Sequence, residues 1–209
     1  MLRVGHGRCS ILALGALALA LLGTAGCDGG SAPTAAPPAP PPETTDGPGD
    51  YRPPRDVCGV VDFSPLTPVL GPLSNAPENT VTGADPKVSS GAQCRQYLGG
   101  TGVFARAVVH CSAWSGVAKA IEMHKYARET AAKDAVGGVT DVPDLGRQAF
   151  RYRAPDSVPW HADLRLTVRD SNLDCELKAQ TDQVLTPDQT ATAYQALTEI
   201  ARTAAPRLR

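Results

Sequence analysis

The sequence predicts an α+β fold: an antiparallel sheet of about five strands on which a short N-terminal helix, a long central helix and a C-terminal helix pack. Two strand pairs predict the sheet. Residues 161–170 and 172–180 alternate between apolar and polar side chains, and residues 93–98 and 103–112 flank the glycine-rich turn at 99–102. Helical spacing of apolar residues over 115–133 and 187–204 predicts the longer helices. Strands and helices in this order are typical of the α+β class.

The domain is predicted to begin with a short helix. Ser64 is the expected N-cap, Pro65 fits the first helical position, and Gly71-Pro72 ends the helix. Residues 73–90 are rich in Pro, Asn, Gly and Ser, so we expect a loop there.

The long helix over 115–133 is expected to bury one stripe of side chains, namely Val117, Ala120, Ile121, His124, Ala127 and Ala131. A loop at 141–146 and a strand at 148–153 follow. The C-terminal helix starts at a capping box, Thr186-Pro187-Asp188-Gln189, and its expected inward residues are Ala193, Tyr194, Leu197, Ile200 and Ala204.

Residues 1–26 have the layout of a secretory signal peptide, with Arg3 and Arg8 before an apolar run at 11–22 and then small residues. The run is too short for a membrane-spanning helix, which needs about 20 apolar residues. Thr24-Ala25-Gly26-Cys27 resembles the lipobox of bacterial lipoproteins, although Thr24 stands where Leu is usual. That resemblance implies lipidation of Cys27 and a domain anchored to the outer leaflet of the cell membrane. Cleavage after Ala25 is the alternative and would release a secreted protein.

A tether is predicted from Cys27 to residue 56. Residues 28–54 contain nine prolines and Tyr51 as their only large apolar side chain, so we expect this stretch to be disordered. A single domain over residues 57–209 follows, long enough to form a core of its own.

Four cysteines remain after Cys27 and predict two disulfides in an exported chain. Cys111 and Cys175 both fall on the buried faces of strands, which favours their pairing and leaves Cys58 to bond with Cys94. A zinc site is the alternative, but no two of these cysteines have the close spacing of zinc ligands.

The composition and the motifs argue against several functions. A net charge of −1 and 5% aromatic residues give no case for nucleic-acid binding. The sequence has no nucleotide-binding glycine loop, zinc-protease motif, calcium loop or nucleophile elbow. We therefore predict no enzyme activity, no cofactor and no metal.

The segments "VCGVVDFSPLTPVLG" (57–71) and "VPDLGRQAF" (142–150), with Cys94 opening a strand between them, are similar to actinobacterial envelope lipoproteins that carry domain-of-unknown-function 3558. The resemblance covers about residues 56–204 together with the lipobox. It implies an envelope-facing α+β domain with a disulfide, and it supplies no catalytic or ligand-binding residues.

The polar face of the 161–180 strand pair is the candidate surface for an envelope partner, and its members are His161, Asp163, Arg165, Arg169, Asp174 and Glu176. The plainer interpretation is that this face is the solvated side of the sheet. A carrier or sensor that holds a small apolar ligand between sheet and helices is the second hypothesis, and a hydrolase using His161 and Asp163 is the third.

Four further side chains have both a structural and a functional interpretation. We expect His110 on the wetter side of the sheet rather than as a general base, and His124 at the edge of the core, bonded to a carbonyl. Trp114 and Trp160 are expected to cap the core rather than to line a pocket.

Overall fold

The computed structural model describes residues 42–85 and 87–209. Within them the chain forms one seven-stranded sheet whose neighbours all run antiparallel, in the order β1-β2-β3-β7-β6-β5-β4. The strands are β1 (Leu73–Asp85), β2 (Ser89–Leu98), β3 (Ala105–Trp114), β4 (Val136–Asp141), β5 (Gln148–Arg153), β6 (Ala162–Asp170) and β7 (Leu173–Thr181). The α+β class and the antiparallel sheet are confirmed, with seven strands instead of about five.

Three α-helices accompany the sheet in these residues: α1 (Thr67–Leu70), α2 (Val117–Asp134) and α3 (Pro187–Ala204). A 3₁₀ turn, Ser64–Leu66, leads into α1, and another, Ala205–Leu208, follows α3. The predicted capping box of α3 is confirmed, because Thr186 accepts a hydrogen bond from the Gln189 N–H and the Gln189 side chain accepts one from the Thr186 N–H.

The start of the first helical segment differs from the prediction. Ser64 does not cap it; instead Asp62 accepts hydrogen bonds from the Ser64 N–H at 2.9 Å and from the Ser64 hydroxyl at 2.7 Å. The end is as predicted, since Gly71 takes a φ of 86°, which glycine adopts without strain.

The prediction of a loop over 73–90 is wrong, because most of this segment forms the edge strand β1. Nearly all of its described side chains are exposed, so burial imposes no apolar alternation on its sequence. Pro77 falls in the irregular stretch between Ser74 and Glu78, where the ladder with β2 is interrupted and no N–H is needed. The other edge strand, β4, was missed for the same reason and includes Gly137 and Gly138.

The two faces of the sheet differ in chemistry. One face is apolar and packs against α3 and the first helical segment, and the predicted inward residues of α3 are all buried. The opposite face is polar, and α2 lies across it: His124 of α2 contacts Asp174 of β7 and the ring of Phe150 of β5. The crossover from β3 to β4 therefore places one helix over the polar side of the sheet.

Both preferred disulfides are present. Cys111 and Cys175 are direct register partners on β3 and β7, and Cys58 is bonded to Cys94 on β2. Disulfides form in oxidising compartments, so the pair fits an extracytoplasmic location.

The folded unit begins before the predicted boundary at residue 57. Tyr51 is buried, and residues 43–51 are hydrogen-bonded to the turn between β6 and β7 and to the start of α2. The segment is ordered because its backbone groups form hydrogen bonds with side chains of distant residues. The composition of the segment itself does not indicate these partners. The predicted signal peptide, Cys27 and the tether up to residue 41 lie outside the described residues. None of the helices in the described part of the chain is long and apolar enough to cross a membrane.

Candidate functional site

A cleft of about 450 Å³ lies between α2 and the polar face of the sheet; we call it the α2 cleft. Its floor comes from β3, β6 and β7, because alternate residues of neighbouring strands point to the same side. The floor side chains are His110, Ser112, Arg165, Thr167, Asp174 and Glu176.

The wall of the α2 cleft is largely apolar. On α2, Met123, Ala127 and Thr130 follow each other at helical spacing, with Tyr126 beside them. Sheet and loop residues complete the wall, namely Trp114, Phe150, Tyr152, Ala154 and Pro155. The sequence analysis did not identify Met123, Tyr126 or Thr130 as site residues. For Met123 and Tyr126 there was a signal, because both are large side chains next to the predicted buried stripe of α2.

The charged groups on the floor form a connected network. Arg165 donates to Asp163 through Nε at 3.1 Å and Nη2 at 2.8 Å, and its Nη1 lies 3.6 Å from Glu176. Lys178 Nζ lies 2.9 Å from the other oxygen of Glu176. The hydrogen bonds to Asp163, ahead of the opposing effect of burial, raise the pKa of Arg165 above its already high value. Arg165 is therefore a permanent cation whose charge is already compensated.

His110 lies half-buried in the α2 cleft, deeper than the predicted position on the wetter side of the sheet. Its Nε2 is 2.9 Å from the Thr82 hydroxyl of β1 and 3.3 Å from the Ser112 hydroxyl. Burial lowers the pKa of His110, and the nearby charge of Glu176 opposes this only in part. The imidazole is consequently neutral at physiological pH and can both donate and accept a hydrogen bond.

His124 is buried as predicted, but its partner is a carboxylate and not a carbonyl. Its Nδ1 lies 2.9 Å from Oδ2 of Asp174, and its ring meets Phe150 edge-on with 5.1 Å between centroids. This contact holds α2 on the sheet and fixes the Asp174 side chain at the floor of the α2 cleft.

The predicted partner surface is not one open face. Asp163 and Arg169 are buried, at 3% and 2% exposure, whereas His161 is exposed at the start of β6. Arg165, Asp174 and Glu176 line the α2 cleft. The expectation of a solvated sheet face therefore does not hold where α2 and residues 43–51 cover it.

The Asp163 carboxylate is fully engaged within the sheet. Its oxygens accept hydrogen bonds from Arg165 and, at 3.0 Å, from Gln180 Nε2. A general base needs a carboxylate or imidazole within reach of a substrate proton. The buried position of Asp163 gives no support to the proposed pairing with His161.

The two tryptophans have different roles. Trp114 lines the α2 cleft, and its Nε1 is buried with no acceptor among the described residues. Trp160 is buried as predicted, stacks on Phe104 with 5.2 Å between centroids, and lies under the Arg106 guanidinium at 4.9 Å. Trp114 thus departs from the prediction that it caps the core.

Residues 42–85 and 87–209 contain no cluster of three or more His, Cys, Asp or Glu side chains arranged to hold a metal ion.

No protein-family model matches the chain, and no curated protein matches it either. Among solved structures, it is similar to the extracellular domain of PknH from Mycobacterium tuberculosis, with 10% sequence identity and a TM-score of 0.41 over 67% of this chain and 91% of that chain. The resemblance to lipoproteins with domain-of-unknown-function 3558 stays a prediction.

Proposed function

We propose that this chain is a lipid-anchored, non-enzymatic binding protein of the cell envelope that holds a small amphiphilic molecule in the α2 cleft. The observation that supports binding is the contrast within the cleft, where the apolar wall of Met123, Tyr126 and Phe150 faces the polar floor. A cleft of about 450 Å³ is within the size range of small-molecule sites.

A small ligand suits this geometry better than a protein partner. The charged side chains that formed the candidate partner surface are paired with one another or buried, so few of them are free to meet a second protein. A purely apolar ligand suits it less well, because it would strip water from Asp174 and Glu176 without replacing their hydrogen bonds.

The proposed anchor is the diacylglyceryl group on Cys27, which the signal peptide and the lipobox resemblance support. Two or more acyl chains hold a protein stably at a membrane where one does not. Residue 42 lies fifteen positions after Cys27. A fully extended chain of that length spans about 50 Å, which is the greatest distance between the anchor and residue 42.

Native mass spectrometry tests the binding proposal. The chain without its anchor cysteine, residues 28–209, is exported behind a cleavable signal, purified without detergent and weighed under native conditions. We expect an additional bound mass of a small molecule. Ala127→Trp should remove it, because the larger ring fills the α2 cleft.

Ala132→Trp is the matched control, since Ala132 is exposed on the same helix and outside the cleft lining. An empty chain, or a bound mass that both variants retain equally, contradicts the proposal. The anchor is tested separately by palmitate labelling of the full chain, and Cys27→Ser should abolish the label.

A further inference from the structure

The charges in the α2 cleft argue against an anionic ligand. The cleft is lined by three carboxylates, Asp134, Asp174 and Glu176, and by one cation, Arg165. The Arg165 guanidinium already donates two hydrogen bonds to Asp163, at 3.1 and 2.8 Å. A phosphate or carboxylate entering the cleft would meet like charges and find its only counter-charge occupied.

The same network argues against an organic cation. Asp174 is bonded to His124 at 2.9 Å, and Glu176 to Lys178 at 2.9 Å. These two carboxylates already have hydrogen-bonding partners, so a ligand ammonium gains less from them than it would from unpaired carboxylates. The floor of the cleft is therefore polar, but its charges are paired and do not strongly favour a charged ligand.

Hydroxyl groups match what the floor offers. An ionised carboxylate accepts hydrogen bonds at several lone-pair positions, so Asp174 and Glu176 retain acceptor capacity beside their existing partners. Bonds from hydroxyls to carboxylates are charge-assisted and short, and they bring no net charge into the cleft. The neutral His110 and the Ser112 hydroxyl add groups that both donate and accept.

The wall adds flat apolar surfaces. Trp114, Phe150, Tyr152 and Tyr126 line one cleft, and Tyr126 at its mouth is 62% exposed, which is high for a large aromatic side chain. Aromatic faces pack against apolar ring surfaces, and the buried Trp114 Nε1 has no acceptor in the part of the chain that the structure describes.

We infer that the α2 cleft binds an uncharged saccharide or glycoside, in which the C–H face of a sugar ring stacks on the aromatic wall and the hydroxyls donate to Asp174 and Glu176. The inference rests on the proposed function and names its ligand class. The volume of about 450 Å³ accommodates about two pyranose rings.

Isothermal titration calorimetry on the same chain without the anchor cysteine, residues 28–209, tests the ligand class. The probes are methyl α-glucoside, methyl α-mannoside, methyl α-galactoside and cellobiose, with choline chloride and sodium phosphate as charged comparisons. We expect saturable binding of at least one neutral probe and of neither charged one. Tyr126→Ala should weaken this binding at least tenfold, and Tyr126→Phe should restore it, because the phenyl ring keeps the stacking surface.

The exposed neighbour Lys125 provides the matched control, and Lys125→Ala should leave the affinity unchanged. Two results overturn the ligand class and leave the proposed function standing. In the first, choline or phosphate binds in competition with a co-purified molecule. In the second, no saccharide binds although the native mass spectrum still shows a bound mass that Ala127→Trp removes. Saccharide binding that Tyr126→Ala and Ala127→Trp do not weaken places the site elsewhere and contradicts both.

Discussion

Tyr51 and Asn172 exchange two hydrogen bonds at the start of the folded domain. The Tyr51 N–H donates to Asn172 Oδ1 at 2.9 Å, and Asn172 Nδ2 donates to the Tyr51 carbonyl at 2.9 Å. The same Nδ2 also donates to the Trp114 carbonyl at 3.1 Å, and Asn172 is only 2% exposed. One amide side chain therefore satisfies buried backbone groups from two separate parts of the chain.

Replacing this amide by a carboxylate should destabilise the domain. Asn172→Asp keeps the shape but removes the donor, so two carbonyl oxygens lose their hydrogen bond and face a negative charge. We expect the free energy of unfolding, measured in urea, to fall by about 1–3 kcal/mol. Asn75→Asp is the control, because Asn75 is exposed and its φ of 62° is one that Asp tolerates. Equal stability of the two variants would show that the Tyr51–Asn172 exchange is unimportant.

Residues 42–56 should stabilise the domain they precede. Tyr51 is 5% exposed and donates from its hydroxyl to Asp170 at 2.6 Å, and Glu43 accepts two hydrogen bonds from the buried Arg169 at 2.8 and 2.7 Å. Chains that begin at residues 42 and 57 can be compared by urea unfolding. We expect the shorter chain to lose at least about 3 kcal/mol, from the burial of one aromatic side chain and several hydrogen bonds.

Glu43→Gln in the longer chain isolates the ion pair. The Arg169 side chain is 3% exposed and that of Glu43 is 17% exposed, so the variant leaves a buried guanidinium with only neutral partners. Because Glu43 is partly solvated, the expected loss is about 1–3 kcal/mol, below the cost of breaking a fully buried pair. Identical stability of the two chain lengths would restore residue 57 as the boundary of the domain.

The predictable part of the fold is the part with one apolar and one polar face. β6 and β7 alternate in sequence because one face meets the apolar core, and the same alternation in β3 and β7 placed Cys111 and Cys175 on the face where they bond. The edge strands β1 and β4 escape the same reasoning, since their side chains are mostly exposed on both faces. Pattern recognition depends on burial, and an edge strand buries too little to leave a pattern.

The candidate site was less predictable because it depends on contacts distant in the sequence. Alternation identifies the polar face of β6 and β7, but it cannot show that α2 covers that face, since the link is the contact of His124 with Asp174, 50 residues apart. Polar residues beneath a helix then have the same sequence pattern as polar residues in water. The same limit applies to Asp163 and Arg169, which were expected at the surface and lie buried, because their partners Gln180 and Glu43 are distant in the sequence.

The disulfide between Cys58 and Cys94 should contribute strongly to stability. It closes a separation of 36 residues, and in the chain-entropy description such a cross-link contributes about 4 kcal/mol. The double variant Cys58→Ala/Cys94→Ala, compared with the parent chain in urea, should show a loss of that order. A loss below about 1 kcal/mol would mean that the unfolded chain is already constrained in this region.

The neutral state of His110 predicts a specific dependence of stability on pH. Burial holds its folded pKa below the ordinary value of about 6.5, so the unfolded chain binds the proton more readily. As pH falls below about 6.5, protonation therefore favours the unfolded state and the domain loses stability, until the pH reaches the folded pKa. The groups that act on the imidazole through their charges are Glu176 and Asp174, which oppose the shift, and Lys178, which adds to it.

His110→Gln isolates this effect, because Gln preserves a polar group near Thr82 and Ser112 but does not titrate. Thermal melting between pH 7.5 and 5.5 should show a smaller loss of Tm for His110→Gln than for the parent chain. His161→Gln removes an imidazole that is exposed at the start of β6, and we expect its melting curve to follow that of the parent. If His110→Gln loses as much Tm as the parent, the imidazole is not kept neutral by the α2 cleft, and its proposed role as a donor and acceptor for ligand hydroxyls fails with it.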